Sequence, residues 1–151
     1  MTSTGLPTLT TRRLTLRPAI DADREGLWQL LTDPQVRRYL CDDKVLTHAE
    51  VQEMLATSMA QWPAGMGLWI LGESRGETLG YVGLHPVTAG IVAHAPDLAG
   101  EVEPTIALTP DHWGRGYTAE ALAAAIAHAF GPSGSSVWSP WWMSRTHARI
   151  G

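Results

Sequence analysis

Two hydrophobic periods alternate along the first 130 residues of the chain. Apolar residues at every second position predict β-strands, and apolar residues three and four positions apart predict helices. A Gly/Ala-rich stretch at 88–100 predicts a surface loop. In chain order, the pattern predicts a strand at 9–18, helices at 22–32, 35–40 and 47–61, strands at 68–71, 79–84 and 101–108, and an alanine-rich helix at 119–129.

Composition places these elements in one domain. A chain of 151 residues with 44% hydrophobic content can bury one core but hardly two. The net charge of −4 gives no attraction to nucleic acid. No apolar run long enough for a bilayer and no signal-peptide pattern is found, so we expect a cytoplasmic protein without membrane contact. Cys41 is the single cysteine, and the six histidines lack paired ligand spacing, so no disulfide and no metal site are expected.

Two glycines two residues apart, Gly114 and Gly116, separate the last predicted strand from the last helix. The first N–H groups of a helix have no intrahelical partner, and the helix dipole adds partial positive charge. A strand followed by a glycine loop and a helix start is therefore an arrangement that binds phosphate. Glycine also allows the backbone to approach the anion closely. The pattern predicts a pyrophosphate site at 114–118.

Other phosphate-binding loops fit this segment less well. Gly114, Gly116 and Ala119 satisfy the glycine spacing of a dinucleotide-binding fingerprint. That fingerprint normally lies near the first strand and is followed by an acidic residue about 20 positions later. Here the loop is late in the chain and no acidic residue follows Glu120. A Walker loop is excluded because no Gly-Lys-Ser/Thr occurs. A dinucleotide-binding domain therefore stays an alternative, although the late position of the loop argues against it.

The wider string at 108–122 resembles the acyl-CoA loop of the GNAT acetyltransferase superfamily, in the branch related to ribosomal-protein-alanine N-acetyltransferases. The likeness rests on the Pro-x-x-Trp-Gly-x-Gly-Tyr order followed by Glu120, while Asp111 stands where the family has Gln or Arg. Residues 11–17 are similar to the family's opening Thr-x-Arg-Leu-x-Leu-Arg, and residues 80–85 to its third strand. The resemblance implies an α/β (α+β) fold with a mixed, mainly antiparallel central sheet flanked by helices.

The resemblance also implies an activity, the direct transfer of an acetyl group from acetyl-CoA to a primary amine. The acceptor would be a peptide N-terminus or a small-molecule amine. The backbone of the last strand would pair with the pantetheine arm, and the glycine loop would hold the pyrophosphate, with Trp113 as a packing anchor for the loop. The residues implied in acetyl-CoA binding are Thr105, Ile106, Ala107, Leu108, Trp113, Gly114, Arg115, Gly116, Tyr117 and Thr118.

Two carboxylates, Glu101 and Glu103, lie two residues apart on the last predicted strand and therefore on one of its faces. The resemblance implies that a carboxylate there accepts the proton that the acceptor ammonium loses before it attacks. Glu103 has the position where related enzymes commonly place this base, and Glu101 is the second candidate. Like charges on one face raise each other's proton affinity, which suits a base. A plain solvent-facing role for both residues stays open.

The last segment, residues 131–151, breaks both hydrophobic periods. It contains three of the seven Trp residues and no Leu. Where the family has a fifth strand, a further helix and a closing hairpin, this stretch predicts none of them. We therefore expect residues 1–130 to form the acetyltransferase part and residues 131–151 an aberrant, poorly ordered tail that a shifted reading frame would explain. A genuine Trp-rich extension or an interaction tail is the alternative. Its exposed Trp residues predict self-association.

The composition of residues 131–151 raises an alternative function. The family's proton donor to the departing thiolate, and an Asn that contacts the co-substrate, lie on the helix after the fifth strand. The sequence has no recognisable counterpart of either residue. A non-catalytic acyl-CoA-binding module, or an inactive acetyltransferase fragment, is therefore the alternative to an active enzyme.

Overall fold

A five-stranded antiparallel sheet forms the centre of the computed structural model, which describes residues 5–39, 44–73 and 76–130. Its strands follow chain order, so each is paired with the next. The strands are β1 Leu9–Thr10, β2 Leu14–Pro18, β3 Gly67–Glu73, β4 Thr78–Pro86 and β5 Val102–Leu108. The helices are α1 Arg24–Thr32, α2 Pro34–Arg37, α3 His48–Gln61, α4 Ala89–His94 and α5 Tyr117–Phe130. The predicted mixed α/β fold with a mainly antiparallel sheet is confirmed.

Helices cover both faces of this sheet. On one face α5 contributes Ala121 and Ala125 to a core that includes Trp69 and Val82. On the other face α1 and α3 pack against Ile70, Tyr81 and Ala107. A strand buried on both faces needs apolar residues at successive positions rather than at alternate ones. This explains why β3 is apolar at every position from 68 to 71.

The predicted first strand at 9–18 is wrong as a single element. Residues 9–18 form a hairpin in which Leu9 lies opposite Leu16 and Thr10 opposite Thr15. Thr11 makes the turn: its N–H donates to the carbonyl of Leu14 at 2.8 Å, and its hydroxyl accepts from the N–H of Leu14 at 2.9 Å. A threonine side chain that bonds the backbone three residues later offers the chain a turn in place of a continuing strand. The polar turn therefore lies inside a stretch whose alternation looks continuous.

The ends of most other predicted elements differ from the structure by one or two residues, and two predictions differ by more. The short helix predicted at 35–40 is α2, which begins one residue earlier and ends at Arg37, while residue 40 lies outside the described residues. The predicted loop at 88–100 is mostly exposed, as expected, but it contains α4 and a short 3₁₀ turn. The predicted tail at 131–151 lies wholly outside the described residues, so it stays a prediction.

The start of α3 is a capping box, as its Thr-x-x-Glu spacing predicts. The hydroxyl of Thr47 accepts from the N–H of Glu50 at 3.1 Å, and the carboxylate of Glu50 accepts from the N–H of Thr47 at 2.9 Å. Lys44 also donates to Glu50, and these bonds hold the pKa of the Glu50 carboxyl below its usual range.

Thr47→Ala is expected to cost about 1 kcal/mol of the free energy of unfolding, because one capping bond is lost. Thr88→Ala is the matched control. Thr88 has the same extended backbone at the N-cap of α4, but its side chain makes no capping hydrogen bond. Urea unfolding of both variants checks the difference. Equal losses in the two variants would contradict the capping role of Thr47.

Candidate functional site

The glycine loop, residues 109–116, connects β5 to α5. It begins with the N–H of Thr109 donating to the carbonyl of Leu79 at 2.8 Å, continues through a 3₁₀ turn at Pro110–His112, and ends where α5 starts at Tyr117. Gly114 and Gly116 have φ of 76° and 80°, in the left-handed region. A residue with a β-carbon would adopt that region at a cost of about 1–2 kcal/mol. The two glycines therefore determine the path of the loop.

The backbone N–H groups of residues 114–118 donate no hydrogen bond to any residue that the structure describes. The first bond of α5 is the one from the N–H of Glu120 to the carbonyl of Gly116, at 3.2 Å. Residues 114–116 and 118 are exposed, whereas Tyr117 is buried, so four of these five residues lie at the surface. Five successive donors at a helix N-terminus form a site suited to an anion with several oxygen atoms.

The outer edge of β5 offers a second set of backbone groups. The carbonyl of Glu101 and the N–H of Thr109 both bond to the β4 side. Because such bonds alternate along an antiparallel pair, odd-numbered residues of β5 face β4 and even-numbered residues face away. The N–H and C=O of Ile106 therefore point outward, and so does the N–H of Leu108. No described strand pairs with this edge.

A cavity of about 240 Å³, here called the edge cavity, lies between this edge and the glycine loop. Trp113 forms part of its wall: the indole N–H donates to the carbonyl of Leu108 at 2.9 Å, while 43% of the residue stays exposed. The Trp113 ring meets the ring of Tyr39 edge to face, with 6.3 Å between centroids. Residues from three elements thus meet here. The lining residues are Val36, Tyr39, Ile106, Ala107, Leu108, Trp113 and Thr118.

Glu103 lies at the other end of β5, and Glu101 directly precedes the first residue of that strand, so the predicted strand start at 101 is one residue early. Glu103 is directly opposite His85 of β4. Glu101 has a carboxylate oxygen, Oε2, that is buried without a hydrogen-bond partner among the described residues. Glu103 precedes Ile106 by three residues, which is about 10 Å along a strand. A proton moving between the edge cavity and Glu103 would therefore pass through water.

A larger groove of about 560 Å³, here called the α3 groove, lies between α3 and strands β3, β4 and β5, and neither Glu101 nor Glu103 is among its lining residues. Thr105 lines it, and Thr105 shares a face of β5 with Glu103. Met54 and Tyr81 contribute apolar surface, and Glu53 adds a carboxylate. The sequence pattern did not single out His85, which also lines this groove, because only the register of β4 and β5 places it beside Glu103.

A polar cluster of Thr11, Arg13, Glu73, Tyr117 and Glu120 joins the first turn of α5 to the β1–β2 turn. The carboxylate of Glu120 accepts from the hydroxyl of Thr11, from the N–H of Arg13 at 2.9 Å and from Nε of Arg13 at 2.8 Å. The Tyr117 hydroxyl donates to Glu73, which raises the pKa of that phenol. The bond from Thr11, and then those from Arg13, lower the pKa of Glu120 to about 2. A carboxylate in the first turn of a helix is favoured by the helix dipole, and these contacts give Glu120 a structural role as well.

Glu120 accepts these bonds as an ionised carboxylate, so its stabilising effect depends on pH. Its pKa of about 2 in the folded protein lies below the ordinary 4.5, so the contribution is fully present above pH 4.5 and is lost as the pH falls through 2. Glu120→Gln is therefore expected to lower Tm at neutral pH, with a deficit that shrinks between pH 4.5 and 2. Thermal unfolding of both proteins across this range checks the sign. A deficit that does not change with pH would contradict it.

Neither a membrane span nor a metal cluster occurs in the described part of the chain. Over residues 5–39, 44–73 and 76–130, no helix has the length and apolar character needed to cross a membrane. Over the same ranges, no group of three or more His, Cys, Asp or Glu side chains is arranged to hold a metal ion.

Comparison with known proteins identifies a family. The model of the acetyltransferase (GNAT) domain matches residues 13–147. A putative GNAT-family acetyltransferase from Bordetella pertussis has a similar structure, with a TM-score of 0.72 and 25% identity over 96% of this chain and 87% of that one. An acetyltransferase from Agrobacterium tumefaciens str. C58 gives a TM-score of 0.66 and 25% identity over 100% and 86% of the two chains.

A more distant likeness concerns the ribosomal L7/L12 alpha-N-protein acetyltransferase RimL, whose structure is a complex with coenzyme A. The TM-score is 0.61 and the identity is 15%, over 81% of this chain and 67% of that one. At this identity the likeness is one of fold.

Proposed function

The chain belongs to the GNAT acetyltransferase family, and we propose that it moves an acetyl group from acetyl-CoA directly to a primary amine. Membership of the family implies acyl transfer from acetyl-CoA. The finer proposal is that the acceptor is a protein N-terminus or a small-molecule amine. Within the family we propose the branch related to ribosomal-protein N-acetyltransferases, because residues 108–122 match its motif and RimL shares the fold.

The observation that carries this proposal is the set of unpaired N–H groups at 114–118. A pyrophosphate carries several negatively charged oxygens. Five successive amides at a helix start can donate hydrogen bonds to more than one of them. Hydrogen bonds to charged oxygens are stronger than neutral ones, so no dedicated basic side chain is required. Arg115 is exposed in this loop and would add charge. The residues present therefore fit the phosphate end of acetyl-CoA.

The pantetheine arm of the co-substrate would lie along the outer edge of β5. Ile106 offers one N–H and one C=O there, and an extended amide-bearing chain pairs with such an edge as an added strand does. The edge cavity continues from Ile106 to Thr118, so one ligand would reach both sets of backbone groups. When bound, acetyl-CoA supplies an activated thioester. The contribution of the protein is to hold the reacting groups in place.

Glu103 is the proposed base. The acceptor amine arrives as ammonium, and its N–H bond breaks as the proton passes to Glu103 through water. The free amine then forms a bond to the acetyl carbonyl carbon as the bond to sulfur breaks, and the departing CoA thiolate takes up the second proton that the nitrogen loses. Glu101 is the alternative base. The α3 groove is where we propose that the acceptor enters, because it lies on the face that carries Glu103 and ends beside Thr105.

Calorimetry with CoA, acetyl-CoA and NAD tests the binding part of the proposal. We expect both CoA compounds to bind and NAD to bind at least about tenfold more weakly. A release assay for the CoA thiol, run with a panel of peptides and small amines, tests transfer. Binding without transfer to any acceptor would favour a non-catalytic acyl-CoA-binding module. Tighter binding of NAD would favour a dinucleotide-binding domain, and absence of CoA binding would overturn the proposal.

Three expectations from the sequence stay predictions. They are the cytoplasmic location, self-association, and the aberrant segment at 131–151 together with the domain boundary that it implies. The family match runs to residue 147 and so includes most of that segment. Sequencing of the coding DNA tests the frame-shift interpretation, because a closed or unrelated second frame would exclude it.

A further inference from the structure

The turn that joins β1 to β2 contacts the glycine loop through Arg13 and Arg115, which are 102 positions apart in sequence. Arg13 contacts the start of α5 as well. Its Nη1 donates to the carbonyl of Arg115 at 2.9 Å, its Nε donates to Glu120 at 2.8 Å, and its guanidinium carbon lies 4.4 Å from the centre of the Tyr117 ring. One side chain thus contacts the loop, the start of α5 and its first turn.

The bond from Arg13 to the Arg115 carbonyl fixes the direction of the next amide, the N–H of Gly116. The peptide unit between Arg115 and Gly116 is planar and trans, so its N–H points opposite to its C=O. Because the C=O is held toward Arg13, the N–H of Gly116 points away from Arg13. Arg13 therefore orients one of the unpaired donors, in a segment where two left-handed glycines would otherwise leave the peptide free to rotate.

The bond to Glu120 has a consequence for charge. Glu120 lies in the first turn of α5, within one turn of the unpaired amides, and its side chain is only 20% exposed. A carboxylate so close to a bound phosphate repels it unless a cation compensates. Arg13 is that cation, since it is the only ion-pair partner of Glu120 among the described residues.

We propose that Arg13 is a positioning residue for the nucleotide end of the co-substrate. It orients the peptide between Arg115 and Gly116 and neutralises Glu120, and both effects favour a bound pyrophosphate. The proposal rests on the proposed function. It gives the Thr-x-Arg-Leu segment at 11–14 a role in binding, although that segment lies outside the loop that contacts the phosphate.

Arg13→Ala, compared with Arg17→Ala, tests this role. Arg17 is a matched control on β2: its side chain is 45% exposed against 42% for Arg13, and it makes an ion pair with Asp23 at 2.6 Å. Its guanidinium bonds Asp23 and makes no hydrogen bond to the glycine loop within the described part of the chain. We expect Arg13→Ala to raise the Kd for CoA about 10- to 100-fold. The variant loses the bond that orients the Gly116 amide and the charge that compensates Glu120. Arg17→Ala should change Kd less than about twofold at a similar loss of Tm.

A kinetic comparison separates positioning from general damage to the fold. Arg13→Ala should raise KM for acetyl-CoA while kcat at saturation stays within about threefold of wild type. The reason is that Arg13 stabilises bound acetyl-CoA equally in the ground state and in the transition state. The double variant Arg13→Ala, Glu120→Gln should bind CoA more tightly than Arg13→Ala alone, since the uncompensated carboxylate is gone. A merely structural role would make the double variant equal to the single one or worse.

Arg13→Lys keeps the test decisive if Arg13→Ala does not fold. Lysine retains the charge but cannot bond both the Arg115 carbonyl and Glu120 in the planar arrangement of a guanidinium. Its Kd for CoA should therefore exceed that of wild type by at least about threefold, whether or not Arg13→Ala folds. A wild-type Kd in every Arg13 variant that folds would overturn the inference and leave the proposed function standing. Wild-type protein that binds no CoA would overturn both.

Discussion

Glu103→Gln is expected to lower kcat for acetyl transfer by about 10²- to 10⁴-fold, the usual contribution of a general base. Glutamine keeps the size and shape of the side chain but cannot accept a proton from the acceptor ammonium. The Kd for CoA should not change, because Glu103 lies three residues from Ile106 and outside the edge cavity. Single-turnover kinetics at saturating acetyl-CoA measures the effect.

Two further variants make this result specific. Glu101→Gln tests the alternative base, whose buried Oε2 has no partner among the described residues. Glu77→Gln removes an exposed carboxylate in the turn before β4 and should leave kcat unchanged. If Glu101→Gln loses activity while Glu103→Gln keeps it, Glu101 is the base. Wild-type kcat in both variants would refute a carboxylate base on β5.

Local patterns predicted most of the fold, because each depends on neighbours in sequence. The capping box at Thr47 and the apolar run of β3 are examples, since a cap needs only a residue three positions away. The β1–β2 turn was missed for the opposite reason. Its residues 11–13 are Thr-Arg-Arg, without the Gly, Pro, Asn or Asp that usually mark a turn, and it is the backbone bonding of Thr11 that creates it.

The sequence allowed the glycine loop of the candidate site to be predicted, but not the contacts that distant segments make with it. The glycine loop is contiguous in sequence, so its glycines at 114 and 116 could be singled out from spacing alone, whereas their left-handed φ values come from the structure. The contacts of Arg13 and the pairing of His85 with Glu103 depend on the meeting of distant segments and on strand register. Nothing in a single sequence states that Arg13 and Glu120 touch, although both lie within segments that resemble family motifs.

These long-range contacts explain how a glycine loop keeps one conformation. Glycines lower the cost of left-handed backbone but also allow the loop other paths. Bonds from Arg13 to the Arg115 carbonyl and from Trp113 to the Leu108 carbonyl hold the loop at two points. The N–H groups of the loop are therefore unpaired while these two bonds fix its path. A loop that is already ordered loses less conformational entropy when a ligand binds.

Gly114→Ala is expected to raise the Kd for CoA by at least about 100-fold. No atom lies within 4 Å of a β-carbon built on Gly114, so alanine meets no steric clash there and the strain comes from its φ of 76°. The chain can relieve about 1–2 kcal/mol of strain by leaving the left-handed region. That movement turns neighbouring N–H groups away from the phosphate, and each lost bond to a charged oxygen costs about 1.5–3 kcal/mol. Calorimetry with CoA measures the change.

Gly100→Ala is the control that separates strain from binding. Gly100 has φ of 84° and also has no atom within 4 Å of the β-carbon position, so the backbone penalty is the same. The seven residues of β5 place it about 23 Å from the loop. Both variants should therefore lose similar stability, and only Gly114→Ala should lose CoA. If the two variants bind CoA equally well, the left-handed geometry at Gly114 does not shape the phosphate site.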